Sequence, residues 1–234
     1  MHYFIRMFGD ELAEIYDLLN QRKDYAVEAA AIRDLIRLRN PDAATLLDVG
    51  CGTGEHLRYL RASFEITGVD ISPSMVEQAR RKLPGVEVLC ADVCDLRLGR
   101  TFDAVTCLFS SIAFVGGPDR VAAAVARMAG HLAPGGILAV VPWLGPDAWR
   151  EPPPDAGTAR DGDRTLDYRW DSRRIGRMVR MDLRVRVNTE AVVREEHELF
   201  LISPAEYAEA FTGAGLQAEL VPTAGGRGVW VGRS

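Results

Sequence analysis

Hydrophobic and polar positions alternate in two regimes along the chain. Residues 10–39 carry apolar side chains at helical spacing, first Leu12, Ile15, Tyr16, Leu18 and Leu19, then Ile32, Leu35 and Ile36. The pattern predicts a helix that starts at Asp10 and is stopped by Pro41. Short apolar runs then alternate with amphipathic stretches. Strands are expected at 45–49, 66–70, 86–90, 103–109 and 136–142, and helices at 53–62, 73–82 and 118–132, with Ala133-Pro-Gly-Gly136 as the turn into the last strand. This order argues for a doubly wound, mostly parallel sheet. After Trp143 the pattern changes. Residues 144–163 are rich in Pro, Gly and Asp and read as a loop. Stretches near 164–171, 177–187 and 192–202 read as strands with short connections, hence an antiparallel sheet. Ser203-Pro-Ala-Glu206 supplies an N-cap, Pro at the first helical position and Glu at the third. The helix it opens runs to about Gly213. Final strands are expected near 217–222 and 227–232.

The chain has 234 residues and 47% hydrophobic content, enough for one α/β unit with an elaboration. A net charge of −5 argues against nucleic acid as the main partner. No apolar run approaches the roughly 18 residues of a membrane span, and the first residues lack a signal peptide's apolar core. Cys51, Cys90, Cys94 and Cys107 show no zinc-ligand spacing, so reduced thiols, a cytoplasmic location and no metal are expected.

The chemistry concentrates in Leu46-Leu-Asp-Val-Gly-Cys-Gly-Thr-Gly54. An apolar strand ends at Asp48 and breaks into Gly50, Gly52 and Gly54, where a backbone free of Cβ atoms lets a ligand approach. Asp70 follows Asp48 by 22 residues and closes a second apolar segment, the spacing at which an acidic group accepts hydrogen bonds from a ribose. The glycines do not follow the G-x-G-x-x-G spacing of dinucleotide sites. Glu55 would repel a pyrophosphate at the helix start, whereas Asp48 suits a cationic ligand.

This loop resembles motif I of class I methyltransferases, which bind S-adenosylmethionine and release S-adenosylhomocysteine. Further elements resemble the N-methyltransferases of nucleotide-activated aminosugars. They are Ile15-Tyr-Asp-Leu-Leu19, Lys23-Asp-Tyr25, Leu98-Gly-Arg100 with Phe102, Leu108-Phe-Ser-Ser-Ile112, Pro142-Trp143, Glu206-Tyr207, Ala210-Phe-Thr212, Ala214-Gly-Leu216, Gly226-Arg-Gly228 and Val231-Gly232. The resemblance implies a seven-stranded, mostly parallel sheet with an N-terminal helical cap (1–40), a cofactor-binding core (41–143 and 203–234) and an inserted antiparallel substrate sheet (144–202).

On this resemblance Asp48 anchors the methionyl ammonium, Gly50 and Gly52 cradle the cofactor, and Asp70 takes the ribose. Asp92 and the Val93 N–H face adenine, Met75 packs on it, and Ile71 and Leu108 also belong to the cofactor site. Tyr16 and Tyr25 cover the cofactor. Ser110 and Ser111 lie just past a strand's C-terminal end, where doubly wound sheets place ligands. Trp143, Arg180, Tyr207 and Arg227 are expected at the substrate, with Arg227 on a diphosphate, for which a guanidinium fork among glycines is suited. Seven arginines between Arg169 and Arg186 otherwise read as a solvated strand face, because Asp171 and Asp182 interleave with them. His197 is the candidate base, with alignment of the amine as the alternative. Phe8 and Phe114 stand where the family carries Tyr and polar His or Tyr, which removes two candidate bases and points to a sugar with different hydroxyls or amine position. The expected partner is a small nucleotide sugar, with dTDP as the carrier and neither nucleic acid nor membrane; a homodimer is left open. A different small acceptor and a non-catalytic cofactor-binding module are the alternatives.

Overall fold

The structure is a computed structural model and describes residues 8–188, 191–223 and 226–234. Two helices replace the single helix expected at the N-terminus: α1 (Asp10–Leu19) and α2 (Tyr25–Arg39). The Asn20 amide folds back onto the Tyr16 carbonyl, and Asp24 caps α2 by accepting from the Val27 N–H. These side chains compete with the backbone ladder and end α1 although the apolar spacing continues. Gly9, not Asp10, stands at the N-cap of α1.

The expected alternation follows as β1 (Thr45–Val49), α3 (Glu55–Leu60), β2 (Glu65–Asp70), α4 (Pro73–Lys82), β3 (Glu87–Cys90), β4 (Phe102–Cys107), α5 (Pro118–Ala129) and β5 (Leu132–Val140). β5 starts earlier than expected. Ala133-Pro-Gly-Gly136 lies inside it as a bulge, marked by the register shift against β4 between Phe102 and Ala104. Next come β6 (Asp155–Asp161), β7 (Arg164–Ile175), β8 (Met178–Val187), β9 (Ala191–Phe200), α6 (Pro204–Gly213), β10 (Gln217–Val221) and β11 (Val229–Arg233).

Seven strands form one sheet in the order β10-β11-β5-β4-β1-β2-β3, with β11 antiparallel to both its neighbours. One face packs on α5 and α6 through Val121, Val125, Met128 and Phe211, the other on α2, α3 and α4 through Ile32, Ile36, Leu57 and Val76. Both faces are covered, as a parallel sheet requires.

β6 to β9 form a separate antiparallel sheet of four strands. β6 falls in the stretch expected to be loop. It pairs with β7 from Asp155–Trp170 to Asp161–Arg164, and only Ala159 of its residues is buried. Along β7 to β9 the side chains alternate without a bulge. One face carries Leu166, Leu183, Val185 and Val193, which close a small core against Leu12 and Ile15 of α1. No helix among the described residues is long and apolar enough to cross a membrane.

Candidate cofactor and acceptor site

β1 delivers Asp48 to the C-terminal edge of the sheet, where it is 1% exposed and accepts a hydrogen bond from the Thr106 hydroxyl of β4 at 2.7 Å. Burial pushes its carboxyl up to about 6, with nearby His56 and the Thr106 hydroxyl pulling the other way. A buried carboxylate with one side-chain donor is matched to a cation. The chain then turns through Gly50, Gly52 and Gly54, all at positive φ. A Cβ on Gly50 would strike Ser111, whose hydroxyl donates to the Gly50 carbonyl at 3.2 Å. A Cβ on Gly52 would meet no atom within 4 Å, so open space lies in front of this loop.

Asp70 ends β2 beside it. One carboxylate oxygen accepts from the Gly52 N–H at 2.8 Å and the other from the Ser72 N–H at 2.9 Å. Each keeps a free lone pair for a ligand hydroxyl. Burial raises this carboxyl, and its backbone hydrogen bonds oppose the shift. Ile71 is 48% exposed next to the buried Asp70, an apolar surface at the sheet edge. Met75, Val93 and Leu108 are buried in the core nearby. Asp92 accepts from the Cys94 N–H and pairs with Arg120 at 2.9 Å, so it also caps the short helical turn Val93–Asp95.

The helical pair roofs this edge. Tyr16 meets Phe8 edge-on, and burial with nearby Asp70 and Asp17 raises its phenol. Tyr25 packs edge-on against His56 at 4.9 Å, and His56 is 3.0 Å from Glu28. Lys23, in the α1–α2 turn, pairs with Glu28 and lies 3.7 Å from the Phe109 ring centroid. Phe109 and Ser110 both adopt positive φ, an unusual pair of non-glycine residues at the end of β4. Lys23 and Phe109 were not singled out in the sequence, although they belong to the Lys-Asp-Tyr and Phe-Ser-Ser elements.

On the acceptor side, Ser110 is buried, donates to the Pro142 carbonyl at 2.9 Å and accepts from Arg227 at 3.2 Å. The pairing of β11 with β5 carries the exposed Arg227 to this edge. Gly225, the third glycine flanking Arg227 in the sequence beside Gly226 and Gly228, lies outside the described residues. His197, on the inner face of β9, is enclosed by three aromatic rings. Phe8 stacks on it at 4.6 Å, and Phe114 and Trp170 stand at 5.9 and 5.8 Å. Trp170 was missed in the sequence. Its signal was the alternation Leu166, Tyr168, Trp170 along β7.

Two expected substrate residues are elsewhere. Tyr207 is 2% exposed within the core, stacked on Trp230 at 6.1 Å, because α6 turns its apolar face to the sheet. Arg180 alternates with Val179 and Met181 and so falls on the face of β8 opposite His197, where it pairs with Glu196 and Glu198. Trp143 is half-buried against a small cluster of Trp149, Val179 and Leu201.

The residues present fit S-adenosylmethionine. Gly52 leaves the space, Asp48 offers an under-paired buried carboxylate and Asp70 the free lone pairs. The sequence model of the family described as Methyltransferase domain matches residues 46–136. The dTDP-3-amino-3,4,6-trideoxy-alpha-D-glucopyranose N,N-dimethyltransferase of Streptomyces venezuelae is 39% identical, over 97% of this chain and 99% of its own.

The chain belongs to the S-adenosylmethionine-dependent sugar N-methyltransferases.

The family includes the dTDP-4-amino-2,3,4,6-tetradeoxy-D-glucose N,N-dimethyltransferase of Saccharopolyspora spinosa, 36% identical to this enzyme over 97% of its chain and 94% of the relative's. The structure of S-adenosylmethionine-bound CalS10, an amino pentose methyltransferase from Micromonospora echinaspora, superposes with a TM-score of 0.85 at 37% identity, covering 97% of this chain and 98% of that one. These relatives differ in which sugar carries the amine, so the acceptor has to be argued from the site.

Proposed function

We propose that the enzyme transfers methyl groups to the amine of a deoxyaminosugar linked to dTDP, in the cytoplasm and without a nucleic-acid partner. The observation that carries this reading is Arg227, an exposed guanidinium brought to the acceptor side of the sheet and anchored on Ser110. Its remaining N–H donors suit a diphosphate, while the aromatic cluster that Phe114 joins a few residues past Ser110 suits an apolar sugar. The net charge of −5 and the four free cysteines support the remainder.

When bound, S-adenosylmethionine supplies an electrophilic methyl on a positively charged sulfur. Asp48 holds the ammonium of the bound cofactor, Asp70 its ribose hydroxyls, and Asp92 with the Val93 N–H its adenine. Tyr16 and Tyr25 close over it and exclude water. Ser110, Ser111 and Arg227 fix the nucleotide sugar, and Phe8 and Phe114 give its amine a dry surrounding. An amine held in line with an activated donor needs mainly alignment, which contributes up to about 7–11 kcal/mol.

Arg227→Ala should raise the Michaelis constant for a dTDP-aminosugar about ten- to a hundredfold, the loss of a charge-assisted contact of roughly 1.5–3 kcal/mol. Arg227→Lys should recover part, and the dissociation constant for S-adenosylmethionine should stay unchanged. An unaltered Michaelis constant in Arg227→Ala would remove the diphosphate and favour an acceptor without a nucleotide.

A further inference from the structure

His197 combines properties that a purely structural residue on this strand would not need. It is 1% exposed, yet neither Nδ1 nor Nε2 has a hydrogen-bond partner among the described residues. Burying an imidazole without partners forfeits its hydration, and an apolar side chain would fill the same space at no such cost. The unpaired nitrogens sit in a box of Phe8, Phe114 and Trp170, with Met181 opposite on β8. The box adjoins the cofactor edge. The carbonyl of Phe8 accepts from Ser72, two residues past Asp70, and Phe114 closes the helical turn that begins at Ser111.

We infer that His197 is a positioning residue for the acceptor: one nitrogen of its uncharged ring accepts a hydrogen bond from an N–H of the neutral amine and so fixes the direction of the amine's lone pair. This rests on the reading of the enzyme as an aminosugar N-methyltransferase. The groups around the ring keep it an acceptor. Phe8, Phe114, Trp170 and Met181 carry no charge. Glu195, on the same face of β9, is engaged by the Gly9 N–H at 2.8 Å, and Arg180 points to the other face. Tyr16 lies behind Phe8. Burial alone pulls the imidazole down to about 4, so the ring is neutral at physiological pH and a poor holder of a proton.

The proton balance follows. The lone pair of the amine forms the N–C bond as the C–S bond breaks and leaves its electron pair on sulfur. The nitrogen becomes an ammonium, and its proton goes to water, not to His197.

The test compares the full-length enzyme with His197→Leu and His197→Gln, using S-adenosylmethionine and a dTDP-aminosugar. His197→Leu should lower kcat about ten- to a hundredfold, the cost of a misaligned amine, with the Michaelis constant for the sugar nearly unchanged. S-adenosylmethionine affinity, measured by titration calorimetry, should match the parent and prove the variant folded. His197→Gln, whose amide oxygen also accepts, should recover most of kcat. The kcat–pH profile of the parent should contain no ionisation between pH 5 and 7. Parental kcat in His197→Leu would overturn the assignment. So would an ionisation near pH 6 that disappears in that variant, since it would identify a base. A parent that methylates no aminosugar would sink the acceptor reading, a failure visible before any variant is made.

Discussion

Asp48 sets how the site responds to pH. Its folded value of about 6 lies above the ordinary carboxyl range, so the cofactor-free fold binds more protons than the unfolded chain between about pH 4 and 6. The ionised carboxylate therefore weakens the empty fold: the cost sets in above about pH 4 and is complete above about 6. A cationic ligand favours the ionised form, so its binding expels the proton. The dissociation constant for S-adenosylmethionine should be flat above about pH 6 and rise toward tenfold per unit below it. Titration calorimetry from pH 5 to 8 checks this, and an affinity that is level throughout would separate Asp48 from the ammonium. Asp70→Ala should weaken the same binding by about 1–3 kcal/mol with the fold intact, because Asp70 lies at the end of its strand. A calorimetric affinity equal to the parent's would withdraw the ribose assignment. The positions of these residues were readable because their places relative to glycines and strand ends follow from chain geometry. Tyr207 was misread because one apolar stripe serves equally for a core face and an open face, and only packing against Trp230 decides between them. Arg180 was misread because its face depends on the strand register, which a run of arginines does not reveal.

α6 was legible at the level of an element, since Ser203 and Glu206 form the reciprocal cap that their spacing predicts. Glu206 also pairs with Arg177 across the start of the helix. That pair, then the Ser203 hydrogen bonds, hold its carboxyl down to about 2. A depressed carboxyl contributes stability that is fully present above its ordinary value near 4.5 and is lost as pH falls toward 2. The exposed guanidinium limits that contribution through solvent screening. Ser203→Ala should cost about 1 kcal/mol in urea unfolding at pH 7, within the usual range for a cap. An unchanged midpoint would mean that the tertiary contacts of α6 make the cap redundant. β6 was not legible for the opposite reason. Its sequence, Asp155 to Asp161, has no apolar alternation, and it is a strand because β7 offers it a ladder. The break between α1 and α2 was hidden because both helices keep an apolar stripe and Asn20 and Asp24 act only locally.

At the scale of the molecule, the two sheets have unequal support. The seven-stranded sheet is enclosed by helices on both faces, whereas the inner face of the four-stranded sheet is closed mainly by Leu12 and Ile15 of α1. α1 is in turn held to the cofactor side through Asp17, which accepts from Thr53 in the glycine loop and pairs with Lys82 of α4. It therefore joins the half that binds the cofactor to the half that carries His197. Ile15→Ala should cost about 2–5 kcal/mol, the usual range for a buried aliphatic truncated to Ala. The loss should not be uniform, because the core it damages contains no residue of the seven-stranded sheet. Amide hydrogen exchange should accelerate in β7, β8 and β9 while β1, β4 and β5 keep their protection. Tyr16 follows Ile15 and lies near Asp70, so S-adenosylmethionine bound at the proposed site should slow the exchange of the four-stranded sheet as well, although the residues proposed to hold it lie on the other sheet and on α1 and α2. Equal acceleration in both sheets would mean that the chain unfolds as one unit, and α1 would then be an ordinary part of the core with no linking role.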